Sequence, residues 1–261
     1  DTRTVAMFKP DLVVWPETMF RDSLIAYDAN PKPPHGWSYS AADFRRALVA
    51  ESAKGRASMG GLARELGTPL LLGVDTEEWT ASGPRFYNSA VYVSRSGEIG
   101  RRYDKMHLVM YGEYVPFADR FPWMQGLTPL AISLTHGERP VTMELEDRDL
   151  RIAPNICYES VLPHLIRRQL NALAAADREP DVLVNLTNDG WFWGSSELDM
   201  HLVCGVFRAV EFRKPFLIAA NTGISAWIDA DGRVRERGPR RDAAMILASV
   251  GRDSRGSLYL R

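Results

Sequence analysis

The chain of 261 residues is first narrowed by what it lacks. Two cysteines are too few for a disulfide framework, and no Cys/His cluster has zinc spacing, so no metal site is expected. No stretch approaches ~18 consecutive apolar residues, so nothing in it reads as a bilayer-spanning helix. Neither sign of charge is in excess: Lys+Arg 32 against Asp+Glu 33 leaves −1, which argues against a general nucleic-acid binder. There is no internal repeat, no low-complexity tract, no initiator Met and no signal or transit segment. The chain runs at once from Asp1 into an apolar strand and stops in a strand-like pattern at Ser257–Arg261, so it reads as a piece of a longer polypeptide. What is present is ordinary globular composition, 45% hydrophobic and 25% charged, which sets disorder aside. Aromatics are conspicuous: 7 Trp, 9 Tyr and 10 Phe, many beside Pro and Gly, as an apolar binding surface would have them.

Strand and helix periods alternate throughout. Strands are predicted over Leu12–Trp15, Pro69–Val74, Asn88–Val93, Ile99–Tyr103, Val141–Leu145, Leu150–Ile156, Asp181–Leu186, Pro215–Ala219 and Ala244–Val250. Ser94–Glu98 reads as a hairpin turn, and Ala226–Val234 as a hairpin turning at Asp231-Gly232. Helices are predicted over Ala41–Leu66, Ser160–Ala176 and Leu198–Arg213. In the first, Phe44, Leu48 and Leu62 are core candidates and Gly60-Gly61 is a soft centre. Residues 21–40 read as a Pro-rich loop and 106–139 as a long loop region, of the kind that is usually functional or disordered. The pattern is layered α/β, most economically one domain over residues 1–261.

Cys157 stands at a strand-to-helix junction in Asn155-Ile-Cys157-Tyr158-Glu159. A thiol there can be exposed at the sheet edge and can feel a helix N-terminus, which favours thiolate; the alternative is a buried structural cysteine. Cys204, mid-helix among Leu202, Val203 and Val206, is better explained as a small buried hydrophobe. Glu17, after the first strand and Pro16, sits where open α/β sheets place ligand groups, or is a solvated turn residue. Lys105 follows a strand in the same way, with a surface lysine as its plain alternative. Glu113 is flanked by aromatics, and a charge kept in such a setting needs a partner. Together Glu17, Lys105 and Cys157 supply a base, a cation and a nucleophile on loops that one sheet could gather.

Those three residues, in that order, resemble the Glu-Lys-Cys triad of the nitrilase (carbon–nitrogen hydrolase) superfamily. Asp11-Leu-Val-Val-Trp-Pro-Glu-Thr18, Tyr103-Asp-Lys-Met-His-Leu-Val109, Gly112-Glu-Tyr-Val-Pro-Phe117 and Ile156-Cys-Tyr-Glu159 resemble its apolipoprotein N-acyltransferase branch. So do Asn188-Asp-Gly-Trp-Phe192, Arg208-Ala-Val-Glu211 and Asn221-Thr-Gly-Ile-Ser-Ala226. The resemblance implies a nitrilase-like α-β-β-α sandwich, truncated here at its N-terminus, where members begin with a further strand and helix. It implies a cofactor-free enzyme that moves a fatty acyl chain from a phospholipid to the N-terminal amine of a lipoprotein, through a thioester on Cys157. Glu113, Tyr158 and Glu159 match supporting positions. The implied setting is the bacterial inner membrane, with this domain on the extracytoplasmic (periplasmic) side. Met106, Met110, Tyr111, Phe117, Phe121, Trp123 and Met124 would suit an acyl-chain groove or membrane contact, or ordinary loop packing. The sequence departs from the branch at Met110-Tyr111, where Pro-Phe is usual, and over Trp193–His201; both bear on loop shape and substrate preference. The alternative function is a soluble amidase or carbamoylase of the same superfamily, hydrolysing a small amide. A catalytically dead binding domain is disfavoured by the intact triad.

Overall fold

The computed structural model describes residues 4–260 except Ala6, His35, Asp119, residues 128–131, Trp193 and Arg241. Trp193, the first residue of the departing 193–201 segment, therefore lies outside the described residues.

In the first sheet, β1 (Val13–Val14) and β2 (Leu24–Tyr27) both run parallel to one strand, β3 (Leu70–Thr80). β1 pairs with Leu70-Leu71 and β2 with Thr76–Trp79. β3 and β4 (Gly83–Val93) form an antiparallel hairpin paired from Leu70↔Val93 to Thr80↔Gly83, and β5 (Ile99–Asp104) lies antiparallel on β4. Three expectations are corrected here. Residues 21–40 are not all loop, because β2 lies among them. Pro69–Val74 and Asn88–Val93 are the apolar halves of strands that run on to Thr80 and start back at Gly83. There the hairpin keeps one face wet and the alternation admits Asp75, Glu77 and Arg85, which an apolar-run criterion discards.

The second sheet follows reverse chain order: β11 (Val234–Arg237), β10 (Ala226–Ile228), β9 (Phe216–Asn221), β8 (Val182–Asn188), β7 (Arg151–Ile156) and β6 (Met143–Glu144). β7, β8 and β9 are parallel, joined by α2 (Pro163–Ala175) and α3 (Glu197–Phe212). Their near-continuous burial is what parallel strands covered on both faces require. Ala244–Val250, predicted as a strand, is irregular. It lines a groove of about 1040 Å³ beside Leu12, Val14, Ile152 and Leu217, where apolar spacing reflects side-chain packing without a strand ladder. Ser257–Leu260 likewise ends in a turn, with Tyr259 packed on Phe212.

Three apolar clusters define the layers. Leu71, Ala90, Tyr92 and Tyr103 of the first sheet meet Met143, Ile152, Ile156, Val184 and Leu186 of the second, which makes the central sheet-on-sheet interface. The outer face of the first sheet (Leu70, Leu72, Val91, Val93) packs on Met59, Ala63 and Leu66 of α1 (Ala41–Leu66). The outer face of the second packs on Ile166, Leu170 and Leu173 of α2 and Leu202, Ala209 and Phe212 of α3. The order is therefore α-β-β-α. Helix α1 begins at a Ser40–Asp43 capping box and ends at Gly67 with φ 62°. Its Phe44 and Leu48 are core residues, whereas Leu62 is half-buried. Gly60 is no soft centre: the helix runs through it, and a Cβ there would stand 2.4 Å from the Gly97 carbonyl oxygen of the β4–β5 turn.

Candidate active site

β1 is parallel to β3, and two successive antiparallel steps, β3 to β4 and β4 to β5, restore that direction. The ends of β1 and β5 therefore lie on the same side of the first sheet. Glu17 follows the first and Lys105 directly follows the second. Between β1 and β2 the chain leaves β3 and crosses it at Gly73, whose Cβ, if it had one, would be 2.1 Å from the Pro16 carbonyl oxygen and 2.7 Å from the Glu17 Cα. Glycine is what lets the base-bearing turn lie directly on the sheet. Lys105 is fixed on both sides of its peptide, donating to the Asn88 carbonyl (2.9 Å) and accepting from the Gly137 N–H (2.8 Å).

Cys157 belongs to the other sheet. It directly follows β7, and the parallel β8 ends beside it at Asn188, whose N–H reaches across to Glu17 Oε2 at 2.7 Å. The gathering of Glu17, Lys105 and Cys157 by a single sheet is therefore incorrect. Two stacked sheets each present their strand ends to one centre.

At that centre Glu17 is buried and accepts three hydrogen bonds: Asn88 Nδ2 (2.6 Å) and Lys105 Nζ (3.4 Å) at Oε1, and the Asn188 N–H at Oε2. A carboxylate has about four acceptor positions, so among the described residues one remains for a proton from elsewhere. Lys105, 1% exposed, also donates to Glu113 Oε1 at 2.7 Å, and Glu113 Oε2 accepts from the Val109 N–H at 2.8 Å. This is the partner that Glu113's setting demanded. Burial works to neutralise Lys105, but the thiolate form of Cys157, once ionised, and the charges of Glu17 and Glu113 outweigh it and hold the ammonium above its ordinary value.

Cys157 has φ +52°, a left-handed conformation that costs a non-glycine residue energy and recurs where a side chain must be aimed. Its thiol is pushed up to about 12, first by burial and then by the Glu17 charge; Lys105 and a hydrogen bond with Thr187 oppose this without prevailing. The expected thiolate bias from a helix N-terminus is thus absent. A short 3-10 turn, Cys157–Val161, separates the cysteine from α2, and desolvation dominates. The resting sulfur is a thiol that needs a base.

Glu159 is fully buried, with Met106 and His107 N–H groups on Oε1 (2.7 and 2.9 Å) and Tyr103 Oη and the Ile156 N–H on Oε2 (both 2.7 Å). It ties the loop carrying Lys105 to the strand carrying Cys157. Tyr158 is exposed, its ring 6.4 Å from that of His107. Cys204 was expected to be buried, but it is half-buried, because Met200, Val203 and Phe207 around it face outward. Met110, Tyr111, Phe117, Phe121 and Trp123 are all exposed, whereas Met106 packs against the inter-sheet core. Asn88 and Thr187 were not singled out by the sequence, although both contact the reactive groups. Asn88 lies in the part of β4 where burial is continuous, and a polar residue inside such a buried run was the available signal. Among the described residues no group of three His, Cys, Asp or Glu side chains could hold a metal ion.

Comparison with known proteins adds relatives to this geometry. The chain is 39% identical over 184 residues to apolipoprotein N-acyltransferase of Rhodopirellula baltica, a match covering 69% of the chain and 32% of that protein. It is 34% identical to the Geobacter metallireducens enzyme of the same name (89% of the chain, 43% of that protein). With that of Caulobacter vibrioides the identity is 35% (89% and 39%). The chain thus spans less than half the length of these relatives. An amidase from Nesterenkonia sp. superposes with TM-score 0.54 at 17% identity over 90% of this chain and 78% of that one. A glutamine-dependent NAD+ synthetase from Acinetobacter baumannii gives 0.62 at 15% over 93% and 40%; at such identities the likeness concerns the fold. The carbon-nitrogen hydrolase model matches residues 3–259, and by that match, on this fold, the chain belongs to the carbon-nitrogen hydrolase family.

Proposed function

We propose that this domain transfers a fatty acyl chain from a phospholipid to the N-terminal amine of a lipoprotein, with Glu17, Lys105 and Cys157 as its catalytic residues. The observation that carries the reading is Glu17 held by three donors, with one acceptor position unfilled among the described residues, while its charge bears on a half-buried, protonated Cys157. The relatives' printed name supports the acyl acceptor, and the three residues fit acyl transfer. Glu17 takes the thiol proton as the sulfur attacks the ester carbonyl. Lys105 Nζ and the backbone N–H after Cys157 stabilise the oxyanion, an effect worth roughly 3–4 kcal/mol per donor in comparable sites. Collapse breaks the ester C–O bond, the leaving alkoxide takes the proton from Glu17, and a thioester remains. The amine then attacks the thioester and gives up a proton to Glu17, the C–S bond breaks, and the departing thiolate takes that proton, restoring the resting thiol and carboxylate. Glu113 keeps Lys105 charged and aimed, and Glu159 and Tyr158 shape the surrounding loops.

No described helix is long and apolar enough to cross a membrane. In this reading residues 1–261 are the extracytoplasmic catalytic domain of a longer inner-membrane protein, and the exposed Met110, Tyr111, Phe117, Phe121 and Trp123 meet the lipid. The test is mass spectrometry of the protein reconstituted in phospholipid vesicles. One acyl chain is expected on the peptide containing Cys157, and none in Cys157→Ser, whose hydroxyl ionises far less readily. An adduct on Cys204, or full turnover by Cys157→Ser, would sink the assignment. Ammonia released from small amides without a lipid-derived adduct would move the protein to the amidase reading.

A further inference from the structure

A set of buried side chains that the acyl-transfer steps do not use closes a ring through Cys157. Leu186 of β8 pairs with Ile156 of β7, so the next residues, Thr187 and Cys157, stand side by side, and the Thr187 hydroxyl donates to Asp189 Oδ1 at 2.8 Å. The same Oδ1 lies 3.0 Å from His201 Nδ1, and His201 Nε2 lies 2.8 Å from Ser160 Oγ. Ser160 Oγ in turn reaches the Cys157 carbonyl at 3.1 Å, where Asn185 Nδ2 also donates at 3.1 Å. Thr187, Asp189, His201 and Ser160 are all more than nine-tenths buried. The ring thus starts at the sulfur and ends at the carbonyl of the same residue, the one held at φ +52°.

A hydroxyl carries one proton. While the sulfur is a thiol, its S–H can donate to Thr187, and Thr187 donates to Asp189. When the thiol proton moves to Glu17, the thiolate needs that same Thr187 O–H, and Asp189 must then be satisfied from its other side. We propose that His201 is a positioning residue for the nucleophile: its Nδ1–H holds Asp189 so that the Thr187 hydroxyl can turn to the Cys157 thiolate. The proposal rests on the reading of Cys157 as nucleophile.

The charges around the ring set the direction of the effect. Asp189 and Glu17 disfavour the thiolate, and Lys105 favours it. Arg208, on the same helix as His201, is engaged by the Ser160 carbonyl (3.0 Å) and by both oxygens of Glu211 (2.7 and 2.8 Å), so it leaves Asp189 to His201. Without His201, the Asp189 charge bears on the sulfur with only Thr187 to offset it, and Thr187 is no longer free to turn.

The test is the rate at which iodoacetamide alkylates Cys157 in the whole chain at mildly alkaline pH, read on the Cys157 peptide by mass spectrometry. His201→Ala should slow it about tenfold, the effect of roughly one pKa unit on the thiol. In the turnover assay kcat should fall while KM stays within about twofold. Adding Asp189→Asn to His201→Ala removes the uncompensated charge and should restore the alkylation rate. If His201→Ala does not fold, Thr187→Val, which keeps the side chain's shape and deletes its hydroxyl, should slow alkylation likewise. Histidine acting only as packing would give the opposite result, alkylation as fast as in the parent or faster as the surroundings loosen, and that outcome overturns the proposal. Alkylation needs no acyl donor, so its failure is separable from failure of the acyl-transfer reading.

Discussion

Two buried carboxylates, one on each sheet, flank the same centre and are treated differently. Glu159 accepts four donors, three of them backbone N–H groups, and every acceptor position is filled. Among the described residues Glu17 accepts three, one of them the Lys105 ammonium, and is left one short. A filled carboxylate is a tie: it fixes backbone in place and cannot receive a proton without losing a bond. An incompletely filled one next to a thiol is a base. Burial alone does not separate the two; the count of donors does.

That contrast breaks if the two glutamates respond alike to the same substitution. Glu17→Gln should lower kcat about 10²- to 10⁴-fold, the range for a lost general base. It should cost about 1–3 kcal/mol of stability, because the new NH₂ group faces a donor. Glu159→Gln should invert the proportion: at least two donors oppose its amide, so denaturant unfolding should show a loss of about 2–4 kcal/mol. Turnover by the folded fraction should stay within roughly tenfold of the parent.

A second measurement sharpens the same contrast through pH. The Cys157 thiol stands at about 12 partly because of the Glu17 charge, so less of it is thiolate at any pH below that value. Removing the charge in Glu17→Gln lowers the thiol toward its ordinary range. Alkylation at mildly alkaline pH should therefore speed up even as turnover collapses. Glu159→Gln leaves that charge in place and should not shift the alkylation profile. The smallest effect is expected far from either carboxylate: Cys204→Ala, at a half-buried position on α3, should change stability by less than about 1 kcal/mol and turnover by less than a few-fold.

Glu17, Lys105, Glu113 and Cys157 were legible as candidates because each chemistry-bearing residue follows a strand or sits among aromatics, which are local features. The layering was legible as a class from alternating periods, and as a sandwich only through family resemblance. Less legible was anything that depends on pairing. The two-residue β1 and four-residue β2 are strands only because β3 lies beside them, and Ala244–Val250 fails to be one for want of a ladder. The Asp189–His201 pair was invisible for a similar reason: its members are 12 residues apart on different elements and meet only once α3 packs on the sheet. The electrostatics of Cys157 were misjudged because a helix N-terminus can be guessed from sequence, whereas the depth of a sulfur cannot.

That Glu17 hangs from one sheet and Cys157 from the other makes the gap between base and nucleophile a gauge of how the sheets seat on each other. The spacer in that gauge is the inter-sheet core, including Leu71, Ala90, Ile156 and Leu186. Interiors are close-packed and pass small volume changes on as displacements. A shift of about 1 Å between reacting groups is enough to cost on the order of a hundredfold in rate. Aliphatic side chains that never meet the substrate are in this sense part of the reaction's tolerance, and a methyl group trimmed from Leu71 or Leu186 is a change in alignment as much as a change in stability.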